Sequence, residues 1–256
     1  MDETGPGFEF EEAFDDDYLY FYEPRLTPER SDADADLITR LLDLEPGMAV
    51  LDVACGHGRI ANRLAARGCA VTGIDRTARF LELARREAAE AGISVEYVQG
   101  DMRSLPWRDR FDRVISWFTS WGYFDDEGNR RVLHEMYAAL KPGGRLILEH
   151  LHRDNLFSRL ERDTVTEREG NYMIDRHRFD ALAGRMNDER IIVRDGRVRR
   201  FSYFVRLLAY TELRDWLREV GFVNVTGYGS DGTPLALAST RMLVTASKET
   251  CARRDG

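Results

Sequence analysis

A short apolar run that leads straight into closely spaced glycines restricts the fold of this chain more than any other feature. The run Val50–Val53 continues through Ala54 and Cys55 to Gly56 and Gly58, and an apolar helical pattern follows. Glycines let the backbone turn tightly and approach a ligand, and a helix N-terminus presents unpaired N–H groups. A buried strand, a glycine turn and a helix in this order predict a ligand-binding βα unit.

Strand and helix patterns continue to alternate after this unit. Further strands are predicted at Ala70–Ile74, Val95–Val98, Phe111–Trp117, Arg145–Leu151, Val223–Tyr228 and Arg241–Ala246. Helices are predicted from Ser31 or Asp32 to Leu44, and at Arg59–Arg67, Arg76–Ala91, Asp126–Leu140 and Thr211–Val220. Repeated βα units with apolar strands form parallel sheets covered by helices on both faces. We therefore expect an α/β fold: a doubly wound, mostly parallel seven-stranded sheet with an antiparallel last strand.

Residues 163–207 interrupt this alternation. They contain strand-like stretches at Asn171–Ile174, Arg190–Val193 and Arg200–Leu207, and Asp195-Gly196 between apolar runs is a hairpin signal. We expect an antiparallel insertion here, serving as an acceptor cap or a dimer contact, because exposed hairpin edges need to be covered. The expected division of the chain is an N-terminal aromatic lid (1–30), a core (31–162), the insertion (163–207) and the C-terminal part of the core (208–256).

The composition argues against several classes of partner. The formal net charge is −8 with a pI near 5.3, whereas nucleic-acid-binding proteins usually present a basic face. The first residues lack a signal-peptide pattern, and no apolar run reaches the roughly 18 residues that a membrane helix needs. Cys55, Cys69 and Cys251 show no metal or disulfide spacing. We expect a cytoplasmic protein with free thiols, no metal site, and no nucleic-acid or membrane partner.

Three acidic residues mark the ligand that the glycine motif would bind. Asp52 lies inside the first strand, Asp75 ends the second strand, and Asp101 follows the third. The G-x-G-x-x-A spacing that starts at Gly56 also fits a dinucleotide fingerprint. A pyrophosphate, however, gains nothing from the negative charge of Asp52, whereas a cationic ammonium does. A carboxylate at the position of Asp75 can accept hydrogen bonds from two ribose hydroxyls. These residues favour a ligand with an ammonium and a ribose over a nicotinamide dinucleotide.

The motifs together resemble the class I, Rossmann-like S-adenosylmethionine-dependent methyltransferases over residues 32–151. The glycine motif, the fourth-strand motif Phe111–Trp117 and the turn at 140–148 occur in the family's order. The resemblance implies S-adenosyl-L-methionine as the cofactor. It places Asp75 on the ribose, Asp101 at the adenine amino group, and Met102 and Arg76 beside the adenine ring. The cofactor-binding residues that it implies are Asp52, Gly56, Gly58, Asp75, Arg76, Asp101, Met102 and Trp117.

The loop after the fourth strand resembles that of bacterial amino-sugar and antibiotic N-methyltransferases. It runs Phe118-Thr-Ser-Trp-Gly-Tyr-Phe, and Tyr123 stands where some of those relatives carry a histidine. Phe118 would form an apolar wall beside the methyl group, where cation–π attraction favours a sulfonium. Phe118 and Tyr123 are therefore candidate catalytic residues.

The segment after the fifth strand supplies the candidate general base. Strand alternation puts His150 and His152 on one face, opposite Glu149 and Leu151. His150 is the first candidate because an unperturbed imidazole titrates near neutrality. A structural, hydrogen-bonded histidine is the alternative. His152 and Arg153 are candidate substrate-binding residues.

The N-terminal aromatic cluster has two interpretations. It is either a helix packed on the core or a lid over the acceptor, as in the relatives named above. A helix would pair Tyr18 with Tyr22, whereas a strand would also place Tyr20 on their side. Either way Tyr18 and Tyr22 stay close, and both are candidate substrate-binding residues.

The leading hypothesis is an enzyme that methylates a nitrogen or oxygen of a small metabolite, with a role in natural-product biosynthesis and a homodimeric assembly as further expectations. Three alternatives stay open. They are C-methylation of a small molecule, methylation of RNA or protein, and cofactor binding without catalysis.

Overall fold

The main sheet of the computed structural model, which describes residues 10–250, contains seven strands. They are β1 (Ala49–Val53), β2 (Ala70–Asp75), β3 (Glu96–Gln99), β4 (Phe111–Ser116), β5 (Leu140–Leu151), β10 (Phe222–Tyr228) and β11 (Arg241–Lys248). Their order across the sheet is β10-β11-β5-β4-β1-β2-β3. β11 runs antiparallel to both of its neighbours, and every other pair is parallel. The predicted mostly parallel sheet with an antiparallel last strand is confirmed.

Eight helices accompany the strands within residues 10–250. They are α1 (Phe10–Ala13), α2 (Asp16–Tyr22), α3 (Pro28–Leu42), α4 (Ala61–Ala66), α5 (Ala78–Glu90), α6 (Asp126–Ala139), α7 (Arg153–Ser158) and α8 (Tyr210–Val220), with a 3₁₀ turn at Glu23–Arg25. Side chains of α3, α4 and α5 form the core on one face of the sheet. Side chains of α6 and α8 form the core on the other face. The sheet is therefore covered on both sides, as expected for a doubly wound fold.

Helix α3 begins earlier than the sequence pattern predicted. Thr27 is its N-cap and accepts a hydrogen bond from the backbone N–H of Arg30 at 3.3 Å, and Pro28 occupies the first turn. Proline fits there because the first helical N–H groups have no intrahelical partner. The helix ends at Leu42, before Asp43 in the left-handed region, so the predicted start at Ser31 or Asp32 and end at Leu44 are corrected.

The insertion forms a separate four-stranded antiparallel sheet. Its strands, in sheet order, are β6 (Asp163–Arg168), β7 (Asn171–Asp180), β8 (Arg185–Arg194) and β9 (Arg197–Arg206). Asp195 and Gly196 both have positive φ, as the predicted hairpin turn requires. The strands extend beyond the predicted stretches, and β6 was not predicted. Charged residues on the exposed face obscure the alternating apolar pattern from which strands are predicted. The strands still form there, because hydrogen bonds between strands join backbone groups and do not depend on side-chain polarity.

The N-terminal aromatic segment is helical from Asp16 to Tyr22, with Asp15 as the N-cap. Ala13 and Phe21 are buried against apolar side chains of the four-stranded sheet. Tyr18 and Tyr22 lie one turn apart, and their rings stack with centroids at 4.4 Å. The described part of this segment is thus a helix that packs on the four-stranded sheet. Residues 1–9 of the proposed lid, and Cys251, lie outside the described residues.

Candidate active site

A cavity of about 770 Å³ extends from the carboxyl ends of β1, β2 and β3 to the four-stranded sheet. Ligands of open α/β sheets bind at this edge. Most of the residues predicted from the sequence line it: Tyr18, Tyr22, Asp52, Gly56, Asp75, Arg76, Asp101, Met102, Trp117, Phe118 and Tyr123. The remaining predicted residues do not belong to its lining: Gly58, His150, His152 and Arg153.

The glycine turn is tied to the end of the second strand by Asp75. One carboxylate oxygen accepts a hydrogen bond from the N–H of Gly56 and the other accepts one from the N–H of Thr77, both at 2.8 Å. Gly56 has φ +56, which glycine adopts without strain. Each carboxylate oxygen can accept two hydrogen bonds. Asp75 can thus hold the loop and still receive two ligand hydroxyls.

Gly58 lies outside the lining of the cavity, which corrects its predicted place beside the cofactor, and its surroundings are those of a packing glycine. A Cβ at this position would lie 2.3 Å from the hydroxyl of Tyr97 and 2.8 Å from the Cβ of Ala84. Its φ of +80 adds a backbone reason for glycine. The absence of a side chain lets the start of α4 approach α5 and β3 closely.

Gly58→Ala is expected to destabilise the fold much more than Gly47→Ala. Gly47 has a similar φ of +87, but a Cβ added there would meet no atom within 4 Å. Both variants therefore carry similar backbone strain, and only Gly58→Ala adds overpacking, which costs about 1–3 kcal/mol in a core. Urea unfolding of both variants measures the difference. Equal losses of unfolding free energy would contradict the packing role.

Asp52 places a buried carboxylate at the floor of the cavity. The residue is 2% exposed, and burial raises the pKa of its carboxyl to about 7, with Asp75 adding to the rise and Arg59 opposing it. An ionised carboxylate in such a position gains strongly from a nearby cation. The site therefore suits a ligand that carries a positive charge.

The third strand supplies a second acidic position. Asp101 lines the cavity together with Met102 and Arg76, and two side-chain nitrogens of Arg103 bond to its carboxylate at 2.7–3.2 Å. Burial alone would raise the pKa of Asp101, but the hydrogen bonds from Arg103 lower it. Asp101 is thus an ionised acceptor beside an apolar Met102, a combination that suits an aromatic base with an amino group.

The loop after β4 is held in an unusual backbone conformation. Phe118 and Thr119 both have positive φ, at 63° and 53°, which side chains other than glycine rarely adopt. Glu149, 3% exposed, accepts hydrogen bonds from the N–H of Phe118 and, at 2.5 Å, from Nε of Arg241. Arg241 also donates to the hydroxyl of Thr119 at 2.5 Å. The Glu149–Arg241 pair, missed in the sequence, fixes the Phe118 wall.

Aromatic rings surround the space in front of Phe118. Tyr22 contacts Phe118 edge-on with ring centroids at 6.2 Å, and Phe14 contacts Tyr123 in the same way at 5.6 Å. Burial raises the pKa of both Tyr18 and Tyr123. These phenols therefore stay neutral at physiological pH and can exclude water from this part of the cavity.

His150 does not reach the cavity, which corrects its predicted role as general base. It is fully buried against Trp121, with ring centroids at 5.5 Å, and its Nδ1 lies 3.2 Å from the carbonyl oxygen of Leu151. Burial lowers its pKa to about 4. Alternation correctly separated two faces of β5, but the cavity lies on the side of Glu149 and Leu151.

His152 and Arg153 also lie elsewhere, which corrects their placement at the substrate. Nδ1 of His152 is 2.7 Å from the carbonyl oxygen of Ser239. Arg153 forms an ion pair with Glu212 at 2.7 Å. Both residues fasten the end of β5 to neighbouring segments.

The inward face of the insertion adds a polar cluster that the sequence analysis missed. Arg190 forms a buried ion pair with Asp175 at 2.6 Å and donates to the hydroxyl of Tyr203 at 2.9 Å. Nδ1 of His177 lies 2.5 Å from Asp188. The five side chains of this cluster all line the cavity. A sequence signal for this cluster was present. Positions 186, 188, 190 and 192 of β8 share the inward face, and the two polar residues at 188 and 190 lie between a Met and an Ile.

The residues of this cavity fit S-adenosylmethionine. Asp52 offers a buried anion for the cationic methionyl group, Asp75 offers oxygens for ribose hydroxyls, and Asp101 with Met102 suits an adenine. The fold and this set of side chains define a Rossmann-like S-adenosylmethionine-dependent methyltransferase.

Comparison with known proteins agrees with this class. Residues 50–144 match the family described as a methyltransferase domain. The glycine/sarcosine N-methyltransferase of Parasynechococcus marenigrum is 32% identical over 210 residues, which span 78% of this chain and 72% of that protein. The chain belongs to the S-adenosylmethionine-dependent methyltransferases, and S-adenosylmethionine is its methyl donor.

Two solved structures share the fold over nearly the whole chain. The CcbJ methyltransferase from Streptomyces caelestis has a TM-score of 0.76 at 21% identity and covers 98% of this chain and 100% of its own. The sugar N-methyltransferase KedS8 from a Streptoalloteichus species has a TM-score of 0.67 at 21% identity, with 96% and 98% covered.

Three further features concern the described part of the chain. None of its helices has the length and apolar character needed to cross a membrane. Residues 10–250 bring together no cluster of His, Cys, Asp or Glu suited to a metal ion. Cys55 and Cys69 are buried free thiols.

Proposed function

We propose that this enzyme methylates a nitrogen or oxygen of a small polar metabolite. The observation that carries the proposal is the continuity of one cavity, about 770 Å³ in volume, from the glycine turn to the polar face of the insertion. A volume of this size accommodates a cofactor and a small acceptor together. When bound, S-adenosylmethionine supplies a methyl group on a positively charged sulfur.

The polar lining of the insertion favours a hydrogen-bonding acceptor over an apolar one. Asp175, Asp188 and Arg190 are each less than 7% exposed, yet all line the cavity. An apolar molecule against these groups would leave polar atoms without water or partners, which costs about 1–3 kcal/mol per group. Amines and hydroxyls are nucleophiles that can bond to such side chains.

Two classes of acceptor are the first to test. One relative is named for glycine and sarcosine and one structural neighbour for a sugar, and both are N-methyltransferases. We propose amino acids and amino sugars as acceptors, the latter within natural-product biosynthesis. Incubation with S-adenosylmethionine and glycine, sarcosine, an amino pentose or a phenol, followed by mass spectrometry, tests this. A product methylated on carbon would overturn the choice of nucleophile.

We propose the following roles for the lining residues. Asp52 and Gly56 hold the methionyl part, Asp75 the ribose, and Arg76, Asp101 and Met102 the adenine, with Trp117 beside the cofactor. Phe118 and Tyr123 shape the methyl-transfer chamber, and Tyr18 and Tyr22 cover it as part of the lid expected at residues 1–30, of which the structure describes residues 10–30. Residues 163–207 cap the acceptor, and residues 31–162 form the core together with the described part of residues 208–256.

S-adenosylhomocysteine is expected to raise the melting temperature of the purified protein, because a ligand that binds only the folded state stabilises it. NADH and NADPH are expected to give no shift, since a pyrophosphate would lie against the carboxylate of Asp52. Differential scanning fluorimetry at equal ligand concentrations measures both. Stabilisation by a nicotinamide dinucleotide alone would contradict the assigned site.

Location and assembly are further proposals. The buried thiols of Cys55 and Cys69 suit the reducing cytoplasm. The edge strands of the insertion expose Val165 on β6 and Val198 on β9, at 62% and 70%, which favours a homodimer that covers them. Light scattering during size-exclusion chromatography tests the dimer.

A further inference from the structure

We propose that His177, held by Asp188, is the general base that removes the proton of the methyl acceptor. The inference rests on the proposed function and adds to it the residue that takes the proton. It moves proton transfer from the end of β5, where the sequence suggested it, to the inward face of the insertion.

The geometry of the pair fixes which nitrogen can accept a proton. Nδ1 of His177 lies 2.5 Å from a carboxylate oxygen of Asp188, and the two side chains are 20% and 8% exposed. A carboxylate accepts only, so Nδ1 carries the proton and donates it in this bond. Nε2 is then the basic atom, and it lies 3.3 Å from the hydroxyl of Thr164. All three residues line the cavity.

The pair belongs to the same chamber as Phe118. Arg190, which lies beside Asp188 on the inward face of β8, donates to the hydroxyls of Tyr203 and Tyr22 at 2.9 and 3.2 Å. The ring of Tyr22 in turn contacts Phe118. A short run of contacts thus connects the insertion with the wall of the predicted methyl-transfer site.

The charges around His177 make its imidazole a stronger base. The hydrogen bond to Asp188 raises the pKa of His177, against the opposing effect of burial. Asp175 adds to the rise and Arg190 opposes it. From the neighbouring segment between α7 and β6, the exposed side chains of Arg159 and Glu161 also line this cavity.

The other ionisable candidates are poorly suited to accept this proton. Burial lowers the pKa of both His150 and His57 to about 4, with Arg59 contributing at His57. Burial raises the pKa of Tyr123, so its phenol is already protonated. His177 therefore combines a place in the cavity with a basic nitrogen.

The proposed step transfers one proton and one methyl group. An N–H bond of an ammonium acceptor, or the O–H bond of a hydroxyl acceptor, breaks, and its proton goes to Nε2 of His177, which becomes an imidazolium. The electron pair left on the acceptor forms a bond to the methyl carbon. The bond between that carbon and sulfur breaks, and its pair stays on sulfur. The imidazolium then returns its proton to water, and Asp188 stabilises its charge in the interim.

The test compares His177→Gln with His134→Gln on the acceptors named above. His134 is exposed on α6 and serves as the matched control. A general base contributes about 10²–10⁴-fold, so His177→Gln is expected to lower kcat at least about 100-fold while S-adenosylhomocysteine affinity stays within about twofold by calorimetry. The control is expected to match the wild type in both.

The pH dependence gives a second measurement. His177 must be neutral to accept a proton, so wild-type kcat is expected to fall as pH drops through its pKa, and His177→Gln is expected to lose this limb. The NMR chemical shifts of the His177 imidazole, recorded across the pH range, measure its pKa directly. Asp188→Asn removes the neighbouring negative charge and is expected to lower both kcat and the pKa of His177. The NMR measurement of this pKa needs no identified acceptor.

Each unfavourable outcome has its own meaning. A wild-type protein that methylates none of the acceptors overturns the proposed function and with it this step. If the folded His177→Gln protein keeps a kcat within about threefold of the wild-type value, the general base is overturned but the proposed function is not. A loss of that size is below about 1 kcal/mol of barrier. A pKa of His177 that does not move in Asp188→Asn also overturns the pairing.

Discussion

Asp52→Asn is expected to make the folded protein more stable at neutral pH while weakening its binding of S-adenosylmethionine and S-adenosylhomocysteine. The carboxyl of Asp52 has a pKa of about 7 in the folded protein against an ordinary value of 3.8. Folding therefore favours the protonated form. Stability from this group is complete below about pH 4 and declines as the pH rises towards about 7, above which the buried charge carries its full penalty.

The asparagine variant removes this penalty, so the difference in unfolding free energy is expected to grow between pH 4 and pH 7. One pKa unit corresponds to about 1.4 kcal/mol, which places the gain on the order of 1–4 kcal/mol above pH 7. Urea unfolding across this range measures it. Asp36→Asn is the matched control, because Asp36 pairs with Arg67 with its side chain 67% exposed and surface pairs contribute about 0–1 kcal/mol.

Ligand affinity is expected to move in the opposite direction. The methionyl ammonium favours the ionised form of Asp52, so wild-type affinity should increase with pH up to about 7 and then level off. Asp52→Asn should bind at least about tenfold more weakly, about 1.4 kcal/mol, without this pH dependence. Calorimetry with S-adenosylhomocysteine measures both. A variant that binds as tightly as the wild type would place the ammonium elsewhere.

Glu149→Ala is expected to destabilise the protein by about 3–5 kcal/mol, because removing one partner of a buried ion pair leaves the other uncompensated. Arg241, 20% exposed, loses its carboxylate partner, and the N–H of Phe118 loses its acceptor. The positive-φ conformation of Phe118 and Thr119 is then free to relax. We therefore also expect a loss of kcat beyond the loss of stability.

Two comparisons separate the loop from general stability. Glu219 forms an ion pair with Arg130, and its side chain is 61% exposed. Glu219→Ala is therefore expected to change the free energy of unfolding by about 0–1 kcal/mol. The double variant Glu149→Leu, Arg241→Met removes both charges and should regain much of the stability. It should not regain kcat, because the loop still lacks its acceptor. Recovery of kcat in the double variant would show that the loop does not need the hydrogen bond from the N–H of Phe118 to Glu149.

The cofactor half of the cavity could be predicted from the sequence because its signals are local. A strand, a turn and a helix follow one another at the glycine motif, and the strand ends place Asp75 and Asp101 at one edge of the sheet. Gly58 was the exception. Its role depends on Tyr97 and Ala84, which lie on other elements, and no spacing rule reports such a contact.

The acceptor half depended on tertiary structure. Sequence alternation separated His150 from Glu149 but could not tell which face of β5 meets the cavity, because this depends on how neighbouring loops pack. The polar face of the insertion lines the cavity only because the four-stranded sheet packs over the carboxyl edge of the main sheet.

The sequence by itself thus determined the class of fold, the methyl donor and most of the residues that we propose as cofactor contacts, through short-range patterns that repeat along the chain. Only the tertiary structure decided that Glu149 supports the Phe118 loop and that His177 and Asp188 face the same cavity. The physical reason is distance along the chain: these side chains meet through pairing between strands and packing between layers, which local periodicity does not encode.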